Sequence, residues 1–232
     1  MVADAVAPVA LQIVILGGPG AGKGTQARRI VKARGVVHIS TGDMFRHHRE
    51  EGTELGKMAD DFLEKGQLVP DEVTCRMVDE RLAQPDCQAG VIFDGFPRSL
   101  PQAKALDEIL EKRGQVLSVA LEIAVSDEEL VARLTARRTC SKCGRIFNLI
   151  FKPPTGDPGK CDKTGCGGEL KQRKDDTEST IRERLRIYHD STTALYGYFG
   201  ERGKLKTVAA DGLSPDEVYA QVDAILAGLE TA

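Results

Sequence analysis

The stretch GGPGAGKGTQ at residues 17–26 limits the folds open to this chain more than any other segment. It follows a continuous apolar run, LQIVIL, and leads into AGKGTQARRIVKA, whose apolar residues have helical spacing. Glycines allow positive φ and close approach of backbone N–H groups to an anion, and a helix N-terminus adds partial positive charge. A strand, a glycine-rich turn and a helix in this order predict a phosphate-binding loop, with Lys23 reaching the outer phosphates of a nucleotide.

The stretch departs from the general pattern GxxxxGK[ST] at one position. Gly24 stands where a Ser or Thr would follow Lys23, so the hydroxyl group moves to Thr25. This shift predicts weaker direct binding of Mg²⁺ by the hydroxyl and a need for carboxylates elsewhere. A tight turn without a ligand is the alternative, but the lysine offset and the flanking elements favour the phosphate loop.

Further short apolar runs, rich in Val and Ile, indicate strands that are buried on both faces. Together with LQIVILGG they are VVHIS, GVIFDG, VLSVALEIAV and KLKTVAA. Helical spacing lies between them, so we expect crossover connections and a five-stranded parallel sheet covered on both sides, a three-layer α/β fold. The helical segments are residues 23–33, 44–52, 54–66, 71–84, 100–114, 127–138 and 177–203, and Thr177, Ser126 and Ser214 are predicted helix starts.

Composition and charge exclude some classes of protein. The chain has 232 residues, 41% hydrophobic and 29% charged, which is typical of soluble globular proteins, and its net charge of −3 argues against a nucleic-acid coat. Its apolar runs are far shorter than the roughly 20 residues of a membrane span. The start MVADAVAPVALQ resembles neither a secretory signal nor an Arg-rich transit peptide, so a cytoplasmic setting is expected, although a noncleaved mitochondrial address would escape this test.

A segment dense in Gly, Pro and Cys, residues 140–171, interrupts the α/β pattern and predicts a small subdomain. Its cysteines form two pairs, with two residues inside the first pair, four inside the second and seventeen between them, which are spacings of a zinc site. The four are predicted to hold a structural Zn²⁺, namely Cys140, Cys143, Cys161 and Cys166. Reduced thiols without metal are the alternative, and the long second pair leaves Asp162 open as a substitute for Cys166.

Two polar segments follow the second and third predicted strands, where open α/β sheets bind ligands. They are ISTGDMFR at residues 39–46 and FDGFPRSLPQA at residues 93–103. Arg46 and Arg98 would offer planar donors to a phosphate, although each alone could be a surface residue. Asp94, on the same rim as Lys23, is predicted to hold Mg²⁺ through water.

These motifs resemble those of the nucleoside monophosphate kinases, and of the adenylate kinases in particular. The family loop GxPGxGKGTQ includes Gly24, and TGDMFR and DGFPR look like family signatures. The resemblance extends from about Gln12 to Leu229. It implies reversible phosphoryl transfer from MgATP to AMP, giving two ADP, by a monomer without nucleic-acid or membrane partners. It also implies a lid that covers ATP and that carries a four-cysteine zinc site in several members.

The resemblance implies two nucleotide sites, with Arg133 stacked on the ATP base and Gln102 bonded to the AMP base. The ATP residues would be Gly20, Ala21, Gly22, Lys23, Gly24, Thr25, Arg133, Arg137, Ile146 and Phe147. The AMP residues would be Thr41, Arg46, Gln67, Leu68, Val69, Gly95, Phe96, Pro97, Arg98, Gln102, Arg173 and Arg184. Catalysis would fall to Lys23, Asp94, Arg98, Arg137, Arg173 and Arg184, with Asp175 and Asp176 orienting the arginines.

The expected domains are a P-loop core, a helical flap over AMP and a zinc-ribbon-like lid over ATP. The core would comprise residues 1–39, 70–135 and 177–232, the flap residues 40–69 and the lid residues 136–176. Helical spacing places Arg133 and Arg137 on one helix face, and likewise Arg182 and Arg186. Arg138, Arg182 and Arg186 are expected on solvated faces.

Two other functions remain open. One is a kinase of the same fold with another nucleotide pair, such as GTP with AMP, because the donor base is held mostly by backbone and stacking contacts. The other is a zinc-ribbon nucleic-acid-binding protein with a vestigial phosphate loop. The ribbon segment has acidic residues and few aromatics, which disfavours the second function.

Overall fold

The structure is a computed structural model that describes residues 10–64 and 67–230, without the side chains of residues 61, 63 and 64. Residues 1–9, 65–66 and 231–232 lie outside this description. The prediction on the N-terminal start therefore falls outside the described residues, as do the ends of the predicted core and part of the predicted flap.

The predicted five-stranded parallel sheet is confirmed, and each predicted apolar run forms one of its strands. The strands are β1 Leu11–Leu16, β2 Val37–Ser40, β3 Gly90–Asp94, β4 Val119–Ala124 and β8 Leu205–Ala209. Their order in the sheet is β2-β3-β1-β4-β8. Because all five strands run in the same direction, their carboxyl ends meet along one edge, and the segments that follow them meet there too.

Helices cover both faces of the sheet. They are α1 Lys23–Arg34, α2 Thr41–Glu50, α3 Glu54–Glu64, α4 Asp71–Leu82, α5 Leu100–Glu111, α6 Asp127–Thr135, α7 Glu178–Glu201 and α8 Pro215–Glu230, with a 3₁₀ turn at Pro85–Ala89. Alternate residues of β1 enter two different hydrophobic clusters, Ile13 with α1, α6 and α8, and Val14 with α4 and α5. Helix α7 packs Leu185 into the first cluster and Leu195 into the second, so it joins the two layers.

The predicted helix starts are found, but their caps differ. The Thr177 hydroxyl accepts a hydrogen bond from the backbone N–H of Thr180 at 3.4 Å. Ser214 and Glu217 form a reciprocal pair, in which each side chain accepts from the other's backbone N–H. Ser126 begins α6, but its hydroxyl donates to Asp211 at 2.7 Å instead of capping the helix.

One predicted helix was too long. Helix α6 ends at Thr135, and Arg137 and Arg138 belong to strand β5 Arg137–Cys140, so the prediction that Arg133 and Arg137 share a helix face is wrong. β5 pairs with two other short strands in an antiparallel sheet, and this pairing, together with the bond from the Leu149 N–H to the Ala136 carbonyl, ends the helix. The other strands are β6 Ile146–Asn148 and β7 Leu170–Lys171.

The flap and the lid each have a small hydrophobic cluster of their own. In the flap, Phe45 of α2 and Ala59 of α3 are buried together with Val69 and Met77. In the lid, Phe147 of β6 is buried with Cys140 of β5 and with Cys161 of the loop between β6 and β7. The exact boundaries of core, flap and lid stay predictions. Within the described ranges, none of the helices combines the length and apolar character that crossing a membrane requires.

Candidate active site and metal centre

The glycine-rich loop turns sharply from β1 into α1. Gly17 has φ +140°, and a Cβ atom there would lie 2.6 Å from the Ile123 carbonyl oxygen, so the position requires glycine. Lys23, at the start of α1, donates to the carbonyls of Gly17 and Gly18 at 2.7 and 2.9 Å. Burial lowers the pKa of Lys23 to about 8, although the charge of Asp94 acts against this. The ammonium group is therefore held inside the loop that would receive phosphates.

An open cleft lies beside this loop at the carboxyl ends of the strands. Lys23, Leu68 and Arg98 line it from the loop, the flap and the segment after β3. Arg184 and Tyr188 line it from α7. The cleft therefore brings predicted ATP-binding and AMP-binding residues together.

Asp94 ends β3 beside the phosphate loop. A Cβ atom on Gly24 would lie 3.3 Å from the Asp94 Oδ2, so Gly24 leaves room for the carboxylate. His38 of β2 contacts the same oxygen through its Nε2 at 3.2 Å. Burial would raise the pKa of Asp94, but the His38 hydrogen bond and the Lys23 charge lower it overall. His38 could not be identified from the sequence pattern, because its partner Asp94 lies 56 positions away.

The predicted arginines converge on the cleft from several elements. Arg98 donates from Nε to the Gly95 carbonyl at 2.8 Å, and Arg173 from Nε to the Thr139 hydroxyl at 3.2 Å. Arg46 pairs with Asp43 one helical turn earlier. Partial desolvation, together with the charge of neighbouring arginines, lowers the pKa of Arg98 and of Arg173 to about 10. Cations held close together in this way favour a bound anion.

Asp175 and Asp176 hold two further arginines. Arg137 forms a two-point contact with Asp176, through Nε at 2.8 Å and Nη2 at 2.5 Å, and Asp176 is fully buried. Arg184 donates from Nη1 to the Asp175 carboxylate at 2.8 Å and lies 3.7 Å from the Asp176 carboxylate. The structure thus places these aspartates where the resemblance implied that they orient arginines.

The segments on the acceptor side are tied together by hydrogen bonds. Thr41 donates to the Gly95 carbonyl at 2.9 Å. Gln102 is buried, and its Oε1 accepts from the Arg98 N–H at 2.7 Å while its Nε2 donates to Asp71 Oδ1 at 2.6 Å. These bonds use one of the two N–H groups and one of the two oxygen lone pairs of the amide, so a bond from Gln102 to a base would not require loss of either partner. The pattern of residues 71–84 indicated only a helix, so Asp71 was missed.

The other predicted acceptor residues differ in exposure. Leu68, which is half-buried, and Pro97, which is buried, both line the cleft. Gln67 is exposed. Val69 is buried in the flap cluster, and Phe96 is buried in the core against α5. These two side chains shape the segment without facing the cleft.

On the donor side, Arg133 lies next to the phosphate loop. Its guanidinium group lies 3.5 Å from the Ala21 carbonyl oxygen and 5.9 Å from the centroid of the Phe151 ring. Ile146 is half-buried, but Phe147 is 2% exposed and packs inside the lid. Arg138 is half-buried and donates to the carbonyls of Thr135 and Arg137, unlike the exposed side chain expected. Arg182 and Arg186 are exposed and pair with acidic residues of α7.

The four lid cysteines form one cluster, with all four sulfur atoms within 4.8 Å of one another. The Sγ–Sγ distance is 3.6 Å for Cys140 and Cys166 and 3.7 Å for Cys143 and Cys161. A tetrahedral Zn²⁺ with Zn–S bonds of about 2.3 Å places sulfurs about 3.8 Å apart, so these residues fit zinc.

Two further residues bear on the metal centre. The Asp162 carboxylate accepts hydrogen bonds from the N–H and hydroxyl of Thr155 at 3.0 and 3.2 Å and pairs with Arg145, so it is engaged outside the sulfur cluster. A Cβ atom on Gly168 would lie 2.6 Å from the Cys140 sulfur, so only glycine fits the turn there. The geometry favours Cys166 over Asp162 as the fourth ligand.

A phosphate loop, several arginines and a carboxylate at the edge of a parallel sheet define a P-loop phosphotransferase. A family model described as adenylate kinase matches residues 15–204. This chain belongs to the adenylate kinase family.

Three relatives, each named adenylate kinase, illustrate the similarity. The chain is 50% identical to that of Archaeoglobus fulgidus over 217 residues, 93% of this chain and 98% of the relative. It is 49% identical to that of Thermodesulfovibrio yellowstonii over 93% of this chain and 99% of the relative. It is 48% identical to that of Lysinibacillus sphaericus over 93% of this chain and 98% of the relative.

Proposed function

We propose that this protein transfers the γ-phosphoryl group of MgATP to AMP, reversibly, giving two ADP. The observation that carries the proposal is a cluster of cations at one cleft. Lys23, Arg98 and Arg184 line the cleft, and the charge of Arg137 lowers the pKa of Lys23, of Arg184 and of Arg173. Cations held this close together favour a bound anion. Two nucleotides that meet at their phosphates would supply such anions.

The roles of these residues follow from where they lie. The loop N–H groups and Lys23 would bind the β- and γ-phosphates of ATP, and Arg98 and Arg46 the phosphate of AMP. Arg137, Arg173 and Arg184 would stabilise the charge on the group in transfer. The acceptor phosphate is already anionic at pH 7, so no general base is required. Catalysis would come from positioning and charge.

Two metal ions belong to this proposal. Mg²⁺, when bound with ATP, neutralises phosphate charge, and Asp94 would hold it through water with help from Asp175 and Asp176. Zn²⁺ would be bound by Cys140, Cys143, Cys161 and Cys166 in a closed structural site, because all four positions of the tetrahedron are filled by protein.

Water competes with AMP for the phosphoryl group, so the cleft must close before transfer. The flap, residues 40–69, and the lid, residues 136–176, would provide this closure over AMP and ATP respectively. The small hydrophobic cluster of the lid supports the idea that the lid moves as a unit. The flap cluster also includes Met77 of α4, so the flap is packed against the core. A monomeric state and a cytoplasmic location, both expected from the sequence, stay predictions.

A coupled assay for ADP formation tests the proposal with a panel of donors and acceptors. We expect ATP with AMP to be the preferred pair and Lys23→Ala to lower turnover about 10²- to 10³-fold, by analogy with lost oxyanion-site donors. Lys32→Ala is the matched control, since Lys32 lies exposed on the same helix. Equal activity of Lys23→Ala and wild type would refute the site assignment.

The same panel decides between the alternatives. GTP as the preferred donor would indicate another kinase of this fold. Salt-sensitive binding of RNA without nucleotide turnover would indicate the zinc-ribbon function.

A further inference from the structure

Glu129, on helix α6, bridges two parts of the donor side. Its Oε1 accepts a hydrogen bond from Arg133 Nη2, one helical turn later. Its Oε2 accepts from the backbone N–H of Gly212 at 3.0 Å, in the loop between β8 and α8. Both charged side chains are 18% exposed, so this pair is shielded more than a surface ion pair.

The bridge fixes the plane of the Arg133 guanidinium. Nη2, besides contacting Glu129, donates to the Ala210 carbonyl at 3.2 Å, and Nη1 lies 3.5 Å from the Ala21 carbonyl of the phosphate loop. One edge of the group is therefore tied to Glu129 and to the β8–α8 loop. The guanidinium carbon lies over the Phe151 ring, 5.9 Å from its centroid. An arginine without these ties would sample many rotamers before a ligand arrived.

We propose that Glu129 is a positioning residue for the donor nucleotide, holding Arg133 in the plane on which the base stacks. This rests on the proposed function, in which the phosphates of the donor occupy the loop and its base lies beside Arg133. A guanidinium face next to an aromatic ring is a stacking surface for a planar base. Glu129 itself would not touch the nucleotide.

Binding measurements separate a contact with the base from a contact with the phosphates. ATP and inorganic tripolyphosphate both occupy the loop, but only ATP has a base. We expect Glu129→Ala and the nearly isosteric Glu129→Gln to weaken ATP about fivefold to tenfold, the range for loss of one oriented hydrogen bond, and tripolyphosphate less than about twofold. In kinetics, the KM for ATP should rise while kcat and the KM for AMP stay unchanged.

Glu128→Gln is the matched control, because Glu128 is exposed in the same helical turn and carries the same charge near the helix N-terminus. Equal weakening of ATP and tripolyphosphate, or an effect of Glu128→Gln as large as that of Glu129→Gln, would overturn the proposal. Thermal melts identify a variant that fails to fold. If Glu129→Ala fails to fold, binding by Glu129→Gln tests the proposal. A wild-type protein that binds ATP but does not phosphorylate AMP would refute the proposed function, while the binding comparison would still judge Glu129.

Discussion

Lys23 lies where two requirements conflict. Its ammonium group must meet phosphates, yet without them it is half-buried and donates to the carbonyls of Gly17 and Gly18. The pKa of Lys23, lowered to about 8, expresses the cost of keeping that charge inside the loop. A residue that functions with a bound anion thus destabilises the nucleotide-free fold.

This cost predicts a pH-dependent difference in stability between wild type and Lys23→Met. The unfolded lysine keeps its proton up to about pH 10.4, whereas the folded one loses it near pH 8. Between these values the unfolded state binds more protons, so the wild type gains stability as pH rises. We expect the free energy of unfolding of the wild type, relative to Lys23→Met, to increase by about 2 kcal/mol over this interval.

Urea titrations without nucleotide, at several pH values from 7.5 to about 10.5, measure this difference. Lys32→Met controls for removal of an exposed lysine from α1 and should give a flat difference. A difference for Lys23→Met that stays constant with pH would show that the folded lysine keeps its ordinary pKa.

At the residue scale, the sequence predicted which groups would converge but not how they would be held. Motif position alone indicated Lys23, Asp94 and Gln102. Their supporting partners could not be found in the same way, because His38 lies 56 positions from Asp94 and Asp71 lies 31 positions from Gln102. A local sequence pattern does not show whether a histidine in a strand, or an aspartate at the start of a helix, contacts a site residue or has only a structural role.

At the scale of elements, periodicity predicted the sheet well because central strands such as β1 and β3 are buried on both faces and read as continuous apolar runs. The edge strands β2 and β8 are not buried on both faces, so that part of the expectation was wrong for them. It failed at the end of α6, where the residues TARR continue a helical pattern. There, strand pairing of Arg137 with Asn148 and of Arg138 with Phe147 overrides local preference. The lid sheet is held by such distant pairings and by cysteines, which hydrophobic periodicity does not report.

The lid illustrates how a small element can be made stable without a large core. Only Phe147, Cys140 and Cys161 are fully buried in its cluster. So few apolar side chains do not stabilise a subdomain of this length, and a bound metal would supply the missing free energy.

Metal removal should therefore lower stability more than activity. After complete chelation we expect the melting temperature to fall by about 2–8 °C, because loss of a site worth about 1–2 kcal/mol shifts a domain of this size by about 2–4 °C per kcal/mol. Turnover at 25 °C should stay within about twofold, since the cysteines lie outside the cleft. Calorimetry and the coupled assay on the same samples measure both quantities.

The Cys143→Ser variant provides the control, because it removes one ligand before any chelator is added. Its melting temperature should already be low and should change little on chelation. An unchanged melting curve of the wild-type protein after verified metal loss would refute a structural metal site.

At the scale of the whole molecule, the cleft is assembled from parts that reach it independently. The phosphate loop and the segment after β3 contribute Lys23 and Arg98, and α7 contributes Arg184. Arg137 of β5 lies close enough for its charge to act on Lys23 and Arg184. Asp176, where the lid meets α7, contacts Arg137 of the lid and lies near Arg184 of the helix. Phosphates bound among these arginines would therefore connect the lid to the core.

This connection predicts that ATP protects the lid from proteolysis. Trypsin needs local opening of the chain, and ligands that bind only the closed, folded form suppress such opening in proportion to their occupancy. With ATP near 100 times its Kd and without Mg²⁺, we expect cleavage at the exposed lid residues Lys152, Lys160 and Lys163 to slow about tenfold or more. AMP alone, which would bind under the flap, should leave lid cleavage nearly unchanged.

Cleavage after Lys112, which is exposed at the end of α5 and far from the lid in sequence, provides the internal reference. Mass spectrometry of timed digests gives the rate at each site. Protection should be lost in Arg137→Ala, because the phosphates would no longer engage β5, while the rate at Lys112 stays the same. If AMP protected the lid as strongly as ATP, the lid would be responding to the acceptor, and the assignment of lid to donor and flap to acceptor would have to be reversed.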